Sequence, residues 1–546
     1  MGKYTNTGND KDKVAKGANM KTINRLLTIG LLAMAASVEA QQVANYQVVP
    51  LPRSIEAHEG TFVLNAENAS EAIRTRVLPT DKRWAAYPVP DEAYEIEIGK
   101  KGIDIVAKSE AGVFYAEQML RKAMQLKAEK TSNEEGTALP LANISGLTEE
   151  VALPFVTIKD GPEFSYRGVH LDCSRHFFPM DFLKRYIDLI ALHGCNVLHW
   201  HLTDDQGWRF EVKKYPRLTE VGSSRKNTVV GHNLPLYDHV PVTGYYSQDE
   251  CRELVRYAAE RHITIMPEVD LPGHMVAALA SYPELGCIGG PYETWNMWGV
   301  HDDVLCAGNP KTLQFVCDVL EELIDVFPSQ LIHLGGDECP KVRWEECPKC
   351  QAKISELGIK AHDGLTAENQ LQNWLMHEAE VYLNNHGRSM IGWDEILEGG
   401  AGASATVMSW RGLEGGIAAA KTGHDVVMTP IDYCYLNFYQ STNHEYEPFS
   451  FDGYVPLSKA YTLPVVPEQL TAEESKHVLG CQANLWAEYI TTPEQAEWML
   501  LPRLAAISEA QWMPAGRRDY QDFLERLPWL TQYYQMLGYR CSNKRE

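Results

Sequence analysis

Leu331-Ile332-His333-Leu334-Gly335-Gly336-Asp337-Glu338-Cys339-Pro340 is the stretch around which the chain is organised. Its apolar opening reads as a buried strand, and the Gly335-Gly336 pair breaks that strand. Two adjacent carboxylates follow, and Pro340 prevents the strand from resuming. Neighbours on a regular strand point to opposite faces. Two glycines ahead of the pair free the backbone, so both side chains are expected to turn into one cleft. Like charges held close raise the pKa of one partner, leaving one acid and one anion. That division of labour suits acid-assisted cleavage of a glycosidic bond.

Outward from this strand, apolar runs alternate with helical periods. Strands are expected at Arg167–Asp172, Asn196–Leu202, Ile263–Val269, Leu331–Leu334, Ser389–Trp393, Thr406–Trp410, Val426–Thr429 and Val478–Leu485. The clearest helices between them are Met180–His193, Asp249–Arg261, Thr312–Phe327 and Thr366–Asn384. This grammar predicts an α/β chain built on a (β/α)8 TIM barrel. An open doubly wound sheet is the rival, but its glycine-rich phosphate fingerprint is absent. In such barrels the chemistry sits where strands end. Polar residues fall there: Asp172 and Arg175, Asp204 and Asp205, Glu268, Asp270 and His274, Asp394 and Glu395, Tyr435, and Trp486 with Glu488. Tyr520–Gly538 is expected to be a last amphipathic helix that closes the barrel.

Ahead of the barrel, Thr61–Leu64, Tyr94–Ile98 and Ile103–Val106 alternate like half-exposed strands, and Ala111–Leu126 has a helical period. A small α+β domain is therefore expected over residues 41–155, with the catalytic barrel over 156–546. Residues 127–137 are polar and read as a loop. Residues 1–40 read as a leader: Met20-Lys21 and Arg25 precede an apolar run from Leu26 to Ala36, and Val38-Glu39-Ala40 suits cleavage before Gln41. That run is too short to span a bilayer. Export to a periplasmic or extracellular space is the expectation.

The net charge of -23 opposes a nucleic-acid or anionic-membrane surface. Among the twelve cysteines, Cys287 and Cys306 flank a loop-like segment and are candidates for a bridge in an oxidising compartment. Cys339 and Cys347-Pro348-Lys349-Cys350 invite a zinc reading, but no fourth ligand is evident nearby, so no metal and no cofactor is expected.

His333-x-Gly335-Gly336-Asp337-Glu338 resembles the signature of the family 20 glycoside hydrolases, the β-N-acetylhexosaminidases. Arg167-Gly168 leading to Asp172-Cys173-Ser174-Arg175, and Asn196 through Arg209, are similar to that family's first two barrel strands. Pro267-Glu268-Val269-Asp270-Leu271-Pro272-Gly273-His274, Gly392-Trp393-Asp394-Glu395, Ser409-Trp410-Arg411, Tyr435-Leu436-Asn437 and Asn484-Leu485-Trp486-Ala487-Glu488 follow in the family's order.

The resemblance implies a retaining, substrate-assisted reaction in which the sugar's acetamido carbonyl attacks its own anomeric carbon. It implies that Asp337 orients the acetamido group and that Glu338 protonates the leaving oxygen and then activates water. Tyr435 resembles the donor to the acetamido oxygen, and Trp393, Trp410 and Trp486 the aromatic walls. Arg175 and Glu488 resemble a pair gripping the terminal sugar's hydroxyls, which would enforce exo action. His274 with Asp204 resembles a relay tuning the acid, with Asp205 an equal rival by spacing. Asn437 stands where some relatives carry Asp. The expected substrate is an oligosaccharide or glycoconjugate ending in GlcNAc or GalNAc. The alternatives are a disaccharide-releasing lacto-N-biosidase, a catalytically silent sugar-binding protein, and a metal-dependent hydrolase suggested by Asp204, His274 and the Cys339–Cys350 segment. Loops 223–244 and 289–303 are expected to shape the choice of substrate.

Overall fold

The structure is a computed structural model, and it describes residues 42–126, 150–362 and 364–545. The expected leader and the whole of the polar 127–137 loop lie outside the described residues.

The first part of the chain builds a sheet from β1 (Ser54–Leu64), β2 (Ile73–Val77), β3 (Tyr94–Gly99), β4 (Gly102–Ala107) and β5 (Val151–Asp160). β5 pairs with both β1 and β3, β3 with β4, and β4 in parallel with β2. Helix α1 (Glu110–Met124) starts at a Ser109 cap, and its apolar face is buried. β5 carries Pro154, whose missing N–H disguises a strand in the sequence. The whole of β5 belongs to this sheet, so the sheet runs past the expected limit at residue 155 to Asp160.

The barrel strands are β6 (Tyr166–Asp172), β7 (Val197–His201), β8 (Thr264–Leu271), β9 (Leu331–Gly335), β10 (Ser389–Trp393), β11 (Thr406–Ser409), β12 (Val426–Met428) and β13 (Val478–Ala483). All eight pair in parallel, and β13 returns to β6 through Gly480 opposite Tyr166, closing the ring. The expected strands are all present, with ends moved by one or two residues. Crossover helices include α2 (Met180–Leu192), α3 (Gln248–Ala259) and α4 (Pro310–Val326). A short helix, α5 (Pro348–Leu357), follows β9 ahead of the crossover helix α6 (Ala367–Asn385). Ser247 with Glu250, and Thr366 with Asn369, close reciprocal capping boxes at α3 and α6.

The helix packed on β13 and β6 is α7 (Arg503–Trp512). The last helix, α8 (Tyr520–Met536), lies outside it, with Arg526 paired to Glu509 of α7. Its Tyr533 and Trp529 donate to the Leu126 and Lys122 carbonyls at the end of α1. The closing role expected of the last helix thus falls to α7, and α8 joins the barrel to the first sheet. Trp512 of α7 also donates to Asp160 at the end of β5.

The lumen of the barrel is divided. Tyr166, Met266, Ile391, Met408 and Val427 form an apolar plug against Trp393. Above it lie buried polar groups: His170, His199, His201, Glu268 and His333. Among the described residues no helix is long and apolar enough to cross a membrane.

Candidate active site

The break after β9 behaves as its residues demand. Gly335 and Gly336 have φ of +66° and +98°, in the left-handed region that glycine adopts without cost. A Cβ on Gly335 would stand 1.7 Å from Asp270 Oδ1. Glu338 also takes a positive φ, +45°, and that local reversal brings its carboxylate to the same side as Asp337. Both line one cavity of about 480 Å³ at the mouth of the barrel.

All the candidate residues meet there. Arg175, Asp204, His274, Asp337, Glu338, Trp393, Trp410, Tyr435, Asn437, Trp486 and Glu488 line that single cavity. They come from the ends or following loops of β6, β7, β8, β9, β10, β11, β12 and β13, so the ring closure is what assembles them. Trp410 stacks on Tyr435 at 6.2 Å, and Trp393 and Trp486 lie 5.7 Å apart. These rings make an apolar box beside the carboxylates. Asp337 Oδ1, Trp486 Nε1, Asn437 Oδ1 and Glu488 Oε2 are buried at this cavity with no hydrogen-bond partner among the described residues. Unpaired buried polar atoms are costly, so their concentration in one cavity marks it as a ligand site.

The charges are ordered around His274. Its Nδ1 stands 3.2 Å from Asp204 Oδ1 and 3.3 Å from Asp205 Oδ2. Its Nε2 stands 3.5 Å from Glu338 Oε2 and 3.8 Å from Asp337 Oδ2. Burial disfavours a charge on this ring, but Asp204 and the other carboxylates outweigh it and raise its pKa well above the usual value. Asp204 and Asp205 differ in their other partners. Asp204 faces the cavity and pairs with Arg175 at 2.7 Å and with His201 at 2.9 Å. Asp205 accepts from the Val276 backbone N–H.

Burial pushes Asp337 up to about 6, with Glu338 adding and His274 opposing. Glu338 is more open, 41% exposed at its side chain, and its contact with His274 lowers its pKa. Burial pushes Glu488 up to about 7 and Glu395 up to about 8. Asp270, beneath Asp337, is raised well above the usual carboxylate range by burial and then by Asp337 itself.

Arg175 and Glu488 both line the cavity without touching each other. The Arg175 guanidinium donates to Gln206 and Asp172 and is paired with Asp204. It stacks over Trp486 at 5.1 Å, and its link to Glu488 is one of field rather than contact.

In the sequence Glu268 is only one of several strand-end polar residues. In the structure Glu268 organises the lumen: it accepts from His201 Nδ1 and, at 3.0 Å, from Trp393 Nε1. His333 and His199 stand 2.8 and 3.1 Å from it. His201 is held up at about 10, because Glu268 and Asp204 outweigh its burial. Alternate positions on β7 and β8 were the available signal: His199, His201 and Glu268 all point inward. Trp298 and Val300 from the loop after β8, and His232 and Asn233 from the loop after β7, also line the cavity. Those two loops were expected to shape it, but no local pattern singled out the residues.

A parallel barrel whose C-terminal mouth carries paired carboxylates beside an aromatic box defines a carbohydrate-handling barrel protein. The comparisons are more specific. Residues 164–515 match the model of glycosyl hydrolase family 20, catalytic domain, and residues 65–146 match its domain 2. The chain belongs to glycosyl hydrolase family 20. A β-hexosaminidase of Porphyromonas gingivalis is 44% identical over 443 residues, covering 81% of this chain and 53% of that protein. The chain thus spans about half the length of that relative. A β-hexosaminidase of Akkermansia muciniphila is 30% identical over 506 residues, covering 91% of this chain and 92% of its own. A solved β-N-acetylhexosaminidase superposes with a TM-score of 0.77 at 28% identity, covering 92% of this chain and 98% of the other. An exo β-N-acetylglucosaminidase of Vibrio harveyi, solved with N-acetylglucosamine, superposes with a TM-score of 0.75 at 29% identity, covering 93% of this chain and 80% of the other.

Proposed function

We propose that this chain hydrolyses terminal β-linked N-acetylhexosamine from oligosaccharides or glycoconjugates, using the substrate's acetamido oxygen as the nucleophile. The observation that carries the reading is the convergence of Asp337, Glu338 and Tyr435 on one cavity beside the Trp393–Trp410–Trp486 box. Asp337, with a pKa of about 6, is an anion at neutral pH and polarises the acetamido N–H as positive charge develops. The Tyr435 hydroxyl keeps its proton, since burial raises its pKa, and it donates to the acetamido oxygen. The acetamido methyl packs into the aromatic box. Holding nucleophile and anomeric carbon together within one molecule gains heavily from orientation.

Glu338 is the acid and then the base. In the free site His274 keeps it ionised, the opposite of what an acid needs. A bound sugar covers its half-open carboxylate, and desolvation raises its pKa, while the acetamido N–H stabilises charge on Asp337. Substrate therefore reverses the order of the two carboxylates. Arg175 is 6% exposed and fixed by Asp172 and Asp204, which makes its end of the cavity a rigid wall and supports exo action.

Export is part of the same reading, supported by the apolar Leu26–Ala36 run after Lys21 and Arg25. N-terminal sequencing of the mature protein is expected to begin at Gln41.

The deciding experiment compares aryl GlcNAc, aryl GalNAc, aryl lacto-N-bioside and an aryl glucoside that carries a hydroxyl at C2. Hydrolysis of the first two with an inert glucoside is expected. Brisk hydrolysis of the glucoside would point to a protein nucleophile, cleavage of lacto-N-bioside alone to a disaccharide-releasing enzyme, and binding without turnover to a silent sugar-binding protein.

A further inference from the structure

Four cysteine sulfurs converge where the loops after β8 and β9 meet. Cys287, Cys306, Cys347 and Cys350 each bring a sulfur within 4.8 Å of the other three. Cys306 lies 3.7 Å from Cys347 and 3.7 Å from Cys350, and Cys287 lies 3.9 Å from Cys350. Four thiolates, each about 2.3 Å from one zinc ion, stand about 3.8 Å apart at the corners of a tetrahedron. The expected Cys287–Cys306 bridge is absent, since both are free thiols. Two cysteines from across the loops, Cys287 and Cys306, join Cys347 and Cys350, and Cys339 itself lies outside the group.

The local backbone is built for this convergence. Gly286 pairs with Leu305 in an antiparallel bridge, and Cys306 N donates to the Leu285 carbonyl, which sets Cys287 beside Cys306. Cys347-Pro348-Lys349-Cys350 forms the tight turn of a two-cysteine knuckle at the N-terminus of α5, with Cys347 as the cap residue. A helix N-terminus favours thiolate over thiol. A Cβ on Gly308 would stand 2.2 Å from the Lys349 carbonyl, so only glycine lets the two cysteine-bearing segments close. Cys306 and Cys350 are fully buried, and the group has its own apolar shell of Val304, Trp344, Ile354, Leu371 and Leu375, separate from the main core.

We propose that Cys287, Cys306, Cys347 and Cys350 bind one zinc ion as a structural tetrathiolate centre. Binding releases four thiol protons and leaves the ion with no open position, so it takes no part in the chemistry. Its role is to staple the loop that carries Trp298 and Val300, which lies between Cys287 and Cys306, to the segment that follows Glu338.

The full exported chain, purified in metal-free buffers, is assayed for metal by elemental mass spectrometry and for thiols by titration with an organomercurial. One zinc per chain is expected, released in step with four thiols. Cobalt substitution is expected to give the visible ligand-field bands and near-ultraviolet charge-transfer band of a tetrahedral tetrathiolate. Cys350→Ser loses the zinc and lowers Tm by several degrees, whereas Cys317→Ser, a free cysteine outside the group, retains it. If Cys350→Ser does not fold, the measurements on the unaltered chain still decide. An intact mass lower by four hydrogens, with peptides linking these cysteines in pairs, would overturn the proposal. So would iron in place of zinc, or four titratable thiols that take up no cobalt.

Discussion

His274 stands 3.5 Å from the Glu338 carboxylate through Nε2, and its other nitrogen faces Asp204 at 3.2 Å. One ring therefore connects the proposed acid to a fully buried anion beneath the cavity. Asp204 is itself held by Arg175 and His201, so the imidazolium has a fixed counter-ion whether or not Glu338 is charged. That arrangement is what the proposed acid–base role of Glu338 requires: a proton gained or lost there leaves its surroundings in place.

Glu338→Gln removes the acid and leaves the cavity's shape. Turnover of substrates with poor leaving groups is expected to fall by about 10²–10⁴-fold, the usual worth of a general acid. Activated aryl glycosides are expected to lose far less in the first, glycosylation step. Steady-state rates against a leaving-group series check this, and an equal loss across the series would remove Glu338 from the acid's role.

Asp337→Asn separates catalysis from stability. Loss of the anion is expected to cut kcat by about 10²–10³-fold. The same change is expected to stabilise the fold at pH 7 by about 1–3 kcal/mol, because a carboxylate raised to about 6 is destabilising when ionised. The sign follows from the raised folded pKa: the gain is present above pH 6 and vanishes below the ordinary carboxylate pKa, where Asp337 is neutral in both states. Denaturation at pH 7 and pH 3.5 tests this.

The pH profile of kcat/KM reports the free enzyme. If Asp337 must be anionic while Glu338 is protonated, Glu338, held below its ordinary value by His274, sets the acidic limb, and Asp337 sets the alkaline limb near pH 6. His274 opposes the upward shift of Asp337, so His274→Gln is expected to move the alkaline limb to higher pH as well as to lower the rate. A limb left in place by His274→Gln would separate Asp337 from the observed titration.

Gly335→Ala tests the turn that aims the carboxylates. The new Cβ would meet Asp270 Oδ1 at 1.7 Å, in a left-handed conformation that costs any other residue about 1–2 kcal/mol before the collision is counted. A destabilisation above about 3 kcal/mol, or failure to fold, is expected. Wild-type stability and turnover in this variant would show that the strand end does not need its present course.

Glu268→Gln tests the buried lumen. Glu268 lies against His199, His201 and His333, and removing its charge leaves the imidazolium of His201 with Asp204 alone. A loss of about 3–5 kcal/mol is expected, the range for breaking a buried ion pair. Chemical denaturation reads it directly.

Much of this site was legible in the residue order. The strand-then-helix alternation predicted all eight barrel strands, because hydrophobic period is a local property that survives folding. Gly335-Gly336 ahead of Asp337-Glu338 announced a turn that brings both acids to one side. What stayed hidden depended on neighbours distant in the chain. β2 and β5 went unread, one because it is short and rich in arginine, the other because Pro154 interrupts its pattern.

By itself the sequence determined the order of elements and the class of barrel and put part of the polar set at the strand ends, since each follows from periodicity along one strand or helix. Tertiary structure decided which of those side chains touch. It placed Arg175 against Asp204, gave Asp204 the cavity and Asp205 the Val276 backbone, and gathered cysteines that are far apart in the chain into one group. The physical reason is closure: once β13 pairs with β6, strand register and loop course fix distances across the ring that no local pattern contains.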